Sequence, residues 1–199
     1  PKQFIKIDGQ EILSFSVNTF LEHPQIDEVI IVSHPEWVDH VSKAYPSSIV
    51  IEGGKHRQDS SLQGVRITSN ETENVLIHDS ARPFVSEKII SDCLSALGNA
   101  DGSVPVIKTS NSLIQLENGK TTYVDRANIK EAQTPQCFSK ELVLRALTAG
   151  IEGTDEIGMV LRLFPESILR LVPGNKDNFK ITTQMDLELA IHYLQSLVS

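Results

Sequence analysis

Cysteine is nearly absent from this 199-residue chain: Cys93 and Cys137 are the only two. No disulfide framework can therefore staple it, and a hydrophobic core must hold it together. Positive charge is in deficit, with 18 Lys and Arg against 26 Asp and Glu and a net charge of −8. That balance excludes a broad nucleic-acid-binding or anionic-membrane-binding face, while a local cluster of Lys and Arg can still hold phosphate. No apolar run approaches the roughly 20 residues that span a bilayer, and no signal peptide is legible, so the reading is a cytoplasmic protein. The six histidines show no HxH, HExxH or Cys/His spacing, which leaves no metal-ligand set to nominate. Neither a Gly-x-Ser-x-Gly elbow nor a Walker A loop occurs, so hydrolase and P-loop chemistry lack their mechanics. An initiator Met is missing too; Pro1-Lys2-Gln3-Phe4 reads like entry into the middle of a motif.

What is present is alternation. Val29–Val32, Ile49–Ile51 and Val75–Ile77 are short, continuously apolar runs, the pattern of strands buried on both faces. Between and after them lie helical periods. Leu13, Val17, Phe20 and Leu21 share one helix face, and Ser86 caps a helix carrying Ile89, Ile90, Cys93, Leu94 and Leu97 inward. Thr183-Gln184-Met185-Asp186 opens a last helix whose stripe is Leu187, Ala190, Leu194 and Leu197. The expected fold is α/β, a Rossmann-like doubly wound, mostly parallel sheet in one domain spanning 1–199. One segment departs from it. Residues 113–124 read as a hairpin turning at Asn118-Gly119, and a lone hairpin in water needs something to pack on. A second subunit would serve.

In open α/β sheets ligands sit beyond the carboxyl ends of the strands. There the sequence places Gly53-Gly54-Lys55-His56-Arg57 with Ser60, then His78-Asp79-Ser80-Ala81-Arg82, then Lys108-Thr109-Ser110. Glycines that admit close backbone approach, hydroxyls, cations and one carboxylate suit a nucleotide or a phosphorylated small molecule. Each element also has a plainer reading. Gly53-Gly54 can be only a turn, Asp79 with Arg82 only a salt bridge, and Lys180 only a solvated cation.

Taken together the strings are more specific. PKQF at 1–4, GGKHRQDS at 53–60, HDSARPFV at 78–85, VDR and QTPQ within 124–136, TDE at 154–156 and NFKITT at 178–183 occur in one order. In them the chain resembles the 2-C-methyl-D-erythritol 4-phosphate cytidylyltransferases and their relatives, the ribitol-5-phosphate cytidylyltransferases. Ser80 is similar to the first branch and Trp37 to the second. The resemblance implies a homodimer in which the hairpin, residues 113–125, is an arm embracing the other subunit. It implies CTP and a polyol phosphate as substrates, with Mg²⁺ held mainly by the CTP phosphates. It also implies a strand and a Gly-rich loop ahead of Pro1, which this sequence does not contain.

By the same resemblance Lys2 and Lys180 are the catalytic cations at the triphosphate. Gly53, Gly54, Arg57 and Ser60 hold the cytidine end, and Asp79, Ser80 and Arg82 line the ribose and its junction with the acceptor. Thr109, Arg126, Thr134 and Thr154 contact the polyol phosphate, Thr109 and Arg126 from the partner's arm region. The implied activity is CMP transfer to methylerythritol phosphate. Its alternatives are transfer to ribitol phosphate or another polyol or sugar phosphate, and a paralogue that binds nucleotide without turnover.

Overall fold

The computed structural model describes every residue except Asn99, Glu152 and Ser199, and the side chains of Leu197 and Val198 also lie outside the described set. In chain order the strands are β1 Lys6–Ile7, β2 Gln10–Glu11, β3 Ile30–Ser33, β4 Ile49–Glu52, β5 Asn74–Ile77 and β6 Gly102–Lys108. They continue with β7 Leu113–Glu117, β8 Lys120–Val124, β9 Lys130–Ala132, β10 Gln136–Ser139 and β11 Leu169–Pro173. The helices are α1 Ile12–Glu22, α2 Val38–Ala44, α3 Arg57–Ile67, α4 Glu87–Leu97, α5 Lys140–Thr148, α6 Glu156–Leu163 and α7 Gln184–Val198.

The alternation of strand and helix holds, but the sheet is mixed rather than mostly parallel. Its order is β11-β6-β10-β5, with β9 also on β6. Only β11 and β6 run parallel; β10 is antiparallel to both β6 and β5, and β9 is antiparallel to β6. Apolar runs mark strands and carry no information on direction, and they overstate burial at the edge, where Ile49 is 44% exposed. After the hairpin the chain returns along β6 as β9, then enters the sheet as β10, and no crossover helix reverses it. The parallel pair β3 and β4 forms its own two-stranded sheet.

Within β10 the side chains alternate faces, as a period of two demands. Phe138 joins Val143, Ala146 and Leu147 of α5 with Met159 and Val160 of α6. Cys137 points the other way, into Ile89, Ile90, Cys93 and Leu97 of α4. Helices thus cover both faces. Leu13 and Val17 pack with Ile31 and Val41, and Ala190 packs with Ile7, Ile12 and Ile181. Leu197 of the expected stripe falls outside the described side chains.

The expected caps form. The Ser86 hydroxyl accepts from the Ile89 amide at 3.3 Å. Thr183 and Asp186 close a reciprocal box, 3.2 Å from Asp186 N–H to the Thr183 hydroxyl and 2.8 Å from Thr183 N–H to the carboxylate. The Thr182 amide and hydroxyl first, and then those bonds from Thr183, hold the exposed Asp186 carboxyl down at about 2. The hairpin turns on Asn118 (φ 50°) and Gly119 (φ 76°), both in the left-handed region that a type I′ turn requires. Ile114 and Tyr123 stand opposite one another across it, and with Leu116 they are 67–73% exposed.

Candidate functional site

Asp79, two residues beyond the end of β5, is the hub. Its Oδ2 lies 3.0 Å from Lys180 Nζ and 3.6 Å from Arg82 Nε, and its Oδ1 lies 3.3 Å from Arg57 Nε. Burial alone would raise this carboxyl; the hydrogen bond and charge of Lys180, then the charges of Arg57 and Arg82, hold it below its ordinary value. The turn beneath is fixed by Thr134, whose hydroxyl accepts from the Asp79 amide at 3.1 Å and contacts His78 Nδ1 at 3.0 Å. The other ring nitrogen of His78 lies 2.9 Å from the Arg82 carbonyl. Burial pushes His78 down to about 4, so the ring is neutral at pH 7.

Each cation is itself anchored. Arg57, the first residue of α3, places Nη1 and Nη2 at 2.7 and 2.8 Å from the two oxygens of Glu156. Glu156 is fully buried at the start of α6 and also accepts from the Ser61 hydroxyl at 2.7 Å. Burial works against the Arg57 charge, and the Glu156 bonds more than offset it, so the guanidinium is held above its ordinary value. Arg82 donates through Nη1 to the Asn178 carbonyl at 2.8 Å, and its Nε has no hydrogen-bond partner. Lys180 follows Asn178, whose buried amide donates to the Thr134 carbonyl at 2.8 Å.

Beside this hub lies a cavity of about 160 Å³ lined by Arg57, Asp79, Arg82, Thr134, Thr154 and Lys180, with Gln136 and Asp155. A larger neighbouring cavity of about 340 Å³ shares Arg82 and Lys180 and reaches Lys108 and Ser110 at the end of β6. The three strand exits expected to converge do so, the third around this second cavity. A carboxylate with three cations beside an open pocket suits an anionic ligand that exchanges with, or adds to, the carboxylate.

Several predicted residues stand elsewhere. Lys2, Gly53, Gly54, Ser60, Ser80, Thr109 and Arg126 line neither cavity. Lys2 is exposed on the turn at 2–4. The Ser60 hydroxyl accepts from the Gly54 amide at 3.1 Å and donates to the His56 carbonyl at 3.2 Å, folding the glycine loop onto α3. A Cβ on Gly54 would sit 2.2 Å from that of Asp59, and this close approach demands glycine. Arg126 donates from Nη1 to the Ser110 carbonyl at 2.6 Å and so braces the rim of the larger cavity. Three participants escaped sequence reasoning: Glu156, His78 and Asn178. Glu156 lay inside the TDE string, and a carboxylate at the start of a helix is ordinarily solvated.

Among the described residues no group of three or more His, Cys, Asp or Glu is placed to hold a metal ion. Asp79 faces three cationic groups, and Asp155 is occupied by the Gly158 amide and the Gln136 side chain at 2.9 and 3.0 Å. This donor set does not fit a cation caged by the protein. No helix of the described residues is long and apolar enough to cross a membrane.

The chain is similar to known proteins over nearly its whole length. Residues 1–196 match the family described as IspD, 2-C-methyl-D-erythritol 4-phosphate cytidylyltransferase. The cytidylyltransferase of that name from Thermotoga neapolitana is 34% identical over 96% of this chain and 86% of its own length. A Haemophilus influenzae bifunctional ribulose 5-phosphate reductase/CDP-ribitol pyrophosphorylase is 35% identical over 98% of this chain, which spans 44% of that protein. Among solved structures, the 4-diphosphocytidyl-2C-methyl-D-erythritol synthase of Anaerococcus prevotii superposes with a TM-score of 0.90 at 25% identity, covering 98% of this chain and 90% of that one. The Thermus thermophilus cytidylyltransferase gives a TM-score of 0.81 at 29% identity, covering 98% and 94%. Fold, hub and sequence converge: the chain belongs to the 2-C-methyl-D-erythritol 4-phosphate cytidylyltransferase family of nucleotidyltransferases.

Proposed function

We propose that the protein transfers CMP from CTP to 2-C-methyl-D-erythritol 4-phosphate. A phosphate oxygen of the acceptor attacks the α-phosphorus of CTP, a new P–O bond forms, and the bond to the β-phosphate breaks. Pyrophosphate leaves with that electron pair. The observation that carries the reading is the Asp79 hub, where Arg57, Arg82 and Lys180 converge on one carboxylate beside the cavity. Negative charge accumulates on the α-phosphate in the transition state, and cations already oriented there stabilise it without reorganisation. Lys180, 38% exposed and bound to Asp79 through a single ion pair among the described residues, is assigned to that charge. Arg57, locked by Glu156, and Arg82, held by the Asn178 carbonyl and Asp79, keep position. Mg²⁺ enters with the triphosphate as part of the substrate, and no step here depends on a protein-held ion.

The protein works in this reading as one nucleotidyltransferase domain, in a homodimer whose arms are the β7–β8 hairpins. The exposed Ile114, Leu116 and Tyr123 support that assembly, since such apolar faces mark contact surfaces. Ribitol 5-phosphate is the second acceptor, favoured by the 35% identity to the Haemophilus CDP-ribitol pyrophosphorylase. Pyrophosphate release from CTP with each polyol phosphate, on full-length protein, decides between them. Faster release with methylerythritol phosphate is expected; release with ribitol 5-phosphate alone would reverse the assignment, and release with neither would remove it.

A further inference from the structure

Gln133, the first residue of the QTPQ string, takes no part in the hub, yet it is only 3% exposed. Burying an amide is costly, and a position that needed only filling would be served by Leu or Met. What Gln adds is two donors and an acceptor on one planar group. Both donors are spent on the loop ahead of Lys180, Nε2 donating to the Asn175 carbonyl at 2.8 Å and to the Asn178 carbonyl at 3.2 Å. Its Oε1 accepts from the Asn175 amide at 3.2 Å. The residue is anchored to the sheet in turn, its own backbone amide donating to the Pro105 carbonyl of β6 at 2.8 Å.

The Asn178 carbonyl is where these bonds meet the site. It accepts from Gln133 and, at 2.8 Å, from Arg82 Nη1. Asn178 is fully buried, its side-chain amide on the Thr134 carbonyl at 2.8 Å and its backbone amide on the Asn175 carbonyl at 3.1 Å. Beyond Lys180, the Ile181 amide donates to the Ala81 carbonyl at 2.8 Å. The backbone on both sides of Lys180 is thus tied to the turn that carries Asp79 and Arg82. The support has little slack, since a Cβ on Gly174 would sit 2.5 Å from Gln133 Oε1.

We propose that Gln133 is a positioning residue for the transfer, acting through the Asn178 carbonyl to fix the backbone of Lys180 and the guanidinium of Arg82. The proposal rests on the transferase reading above. Asp79 holds the Lys180 ammonium, and Gln133 fixes the chain from which that side chain extends. A cation aimed at a developing charge must be held to within about 0.5 Å, and a shift of about 1 Å costs up to 10²-fold in rate.

Gln133→Met keeps the side chain's length and removes all three of its bonds to the loop. Native-state hydrogen exchange reads the backbone without turnover: protection of the Ile181 amide should fall about 10-fold or more, and that of the α5 amides clearly less. In the pyrophosphate assay on full-length protein, kcat should fall about 10-fold or more with the CTP KM changed less than about 2-fold. In a Lys180→Ala background the same substitution should cost clearly less, because a cation it positions is gone. Ser103→Ala, which deletes a buried hydroxyl bonded to the Cys93 carbonyl at 2.6 Å, should leave kcat unchanged. If Gln133→Met does not fold, Gln133→Glu, which keeps the acceptor and loses both donors, carries the same test. Unchanged Ile181 exchange, an unchanged kcat, or equal fold-losses with and without Lys180 would overturn the proposal. Weakened Ile181 protection, in a protein whose wild type releases no pyrophosphate with either polyol phosphate, would instead refute the transferase reading and leave Gln133 as the support of the loop.

Discussion

Glu156 offers the most quantitative handle on the site. Glu156→Ala removes a fully buried carboxylate that receives two bonds from Arg57 and one from Ser61. What remains is a guanidinium with one anionic neighbour left, Asp79 at 3.3 Å, and a cavity at the start of α6. Breaking a buried pair by deleting one partner costs about 3–5 kcal/mol. The Arg57 side chain is 36% exposed and can recover some hydration, which places the expected loss near 3 kcal/mol, the low end. Urea denaturation of wild type, Glu156→Ala, Arg57→Ala and the double variant measures it as a cycle. Removing both partners should cost clearly less than the two single losses added together, because neither charge is then stranded. Loss of less than about 1 kcal/mol in Glu156→Ala, or additive single losses, would refute the view that this pair is a buried, mutually dependent unit.

Other perturbations follow the same logic. His78, lowered from 6.5 to about 4 on folding, contributes stability that is fully present above pH 6.5 and lost as the pH falls through 4. The total is about 3 kcal/mol, visible as urea midpoints that fall between pH 7 and pH 4 in wild type and fall less in His78→Gln; equal slopes would contradict it. Ile114→Lys/Tyr123→Lys should shift the protein from dimer to monomer in sedimentation without changing its circular dichroism, and an unchanged mass would remove the arm assignment. If Arg126 serves the neighbouring site, Lys180→Ala and Arg126→Ala chains refolded together should regain about a quarter of wild-type activity. Half of the dimers are then mixed, each with one intact site of two; recovery no greater than the separate variants would place Arg126 in its own subunit's site.

The sequence was legible where one local rule decides the outcome. Asn118-Gly119 dictates its turn, Ser86 and Thr183 dictate helix starts, and runs such as Val75–Ile77 declare strands, though not full burial, since Ile49 of a second such run is 44% exposed. Strand direction was not legible. Gln136–Ser139 is short and half polar, and its antiparallel entry between β5 and β6 depends on where the hairpin returns the chain. In the site, Arg57, Asp79, Arg82 and Lys180 were all anticipated, but their convergence is a tertiary fact, since Asp79 and Lys180 stand 101 positions apart in the sequence. Glu156 escaped for the same reason, since only packing tells a buried carboxylate from a solvated one. The hydroxyls of Ser60 and Thr134 fit a ligand-binding pattern by type, and the structure engages both in bonds to their own chain.

In the proposed reaction Lys180 faces the charge that builds on the α-phosphate of CTP. The most direct test is kcat for pyrophosphate release by full-length wild type and Lys180→Ala at saturating CTP and methylerythritol phosphate. In Lys180→Ala kcat should fall about 10²-fold or more with the unfolding midpoint little changed. An unchanged kcat in a folded Lys180→Ala protein would return Lys180 to an ordinary solvated lysine with no part in the transfer.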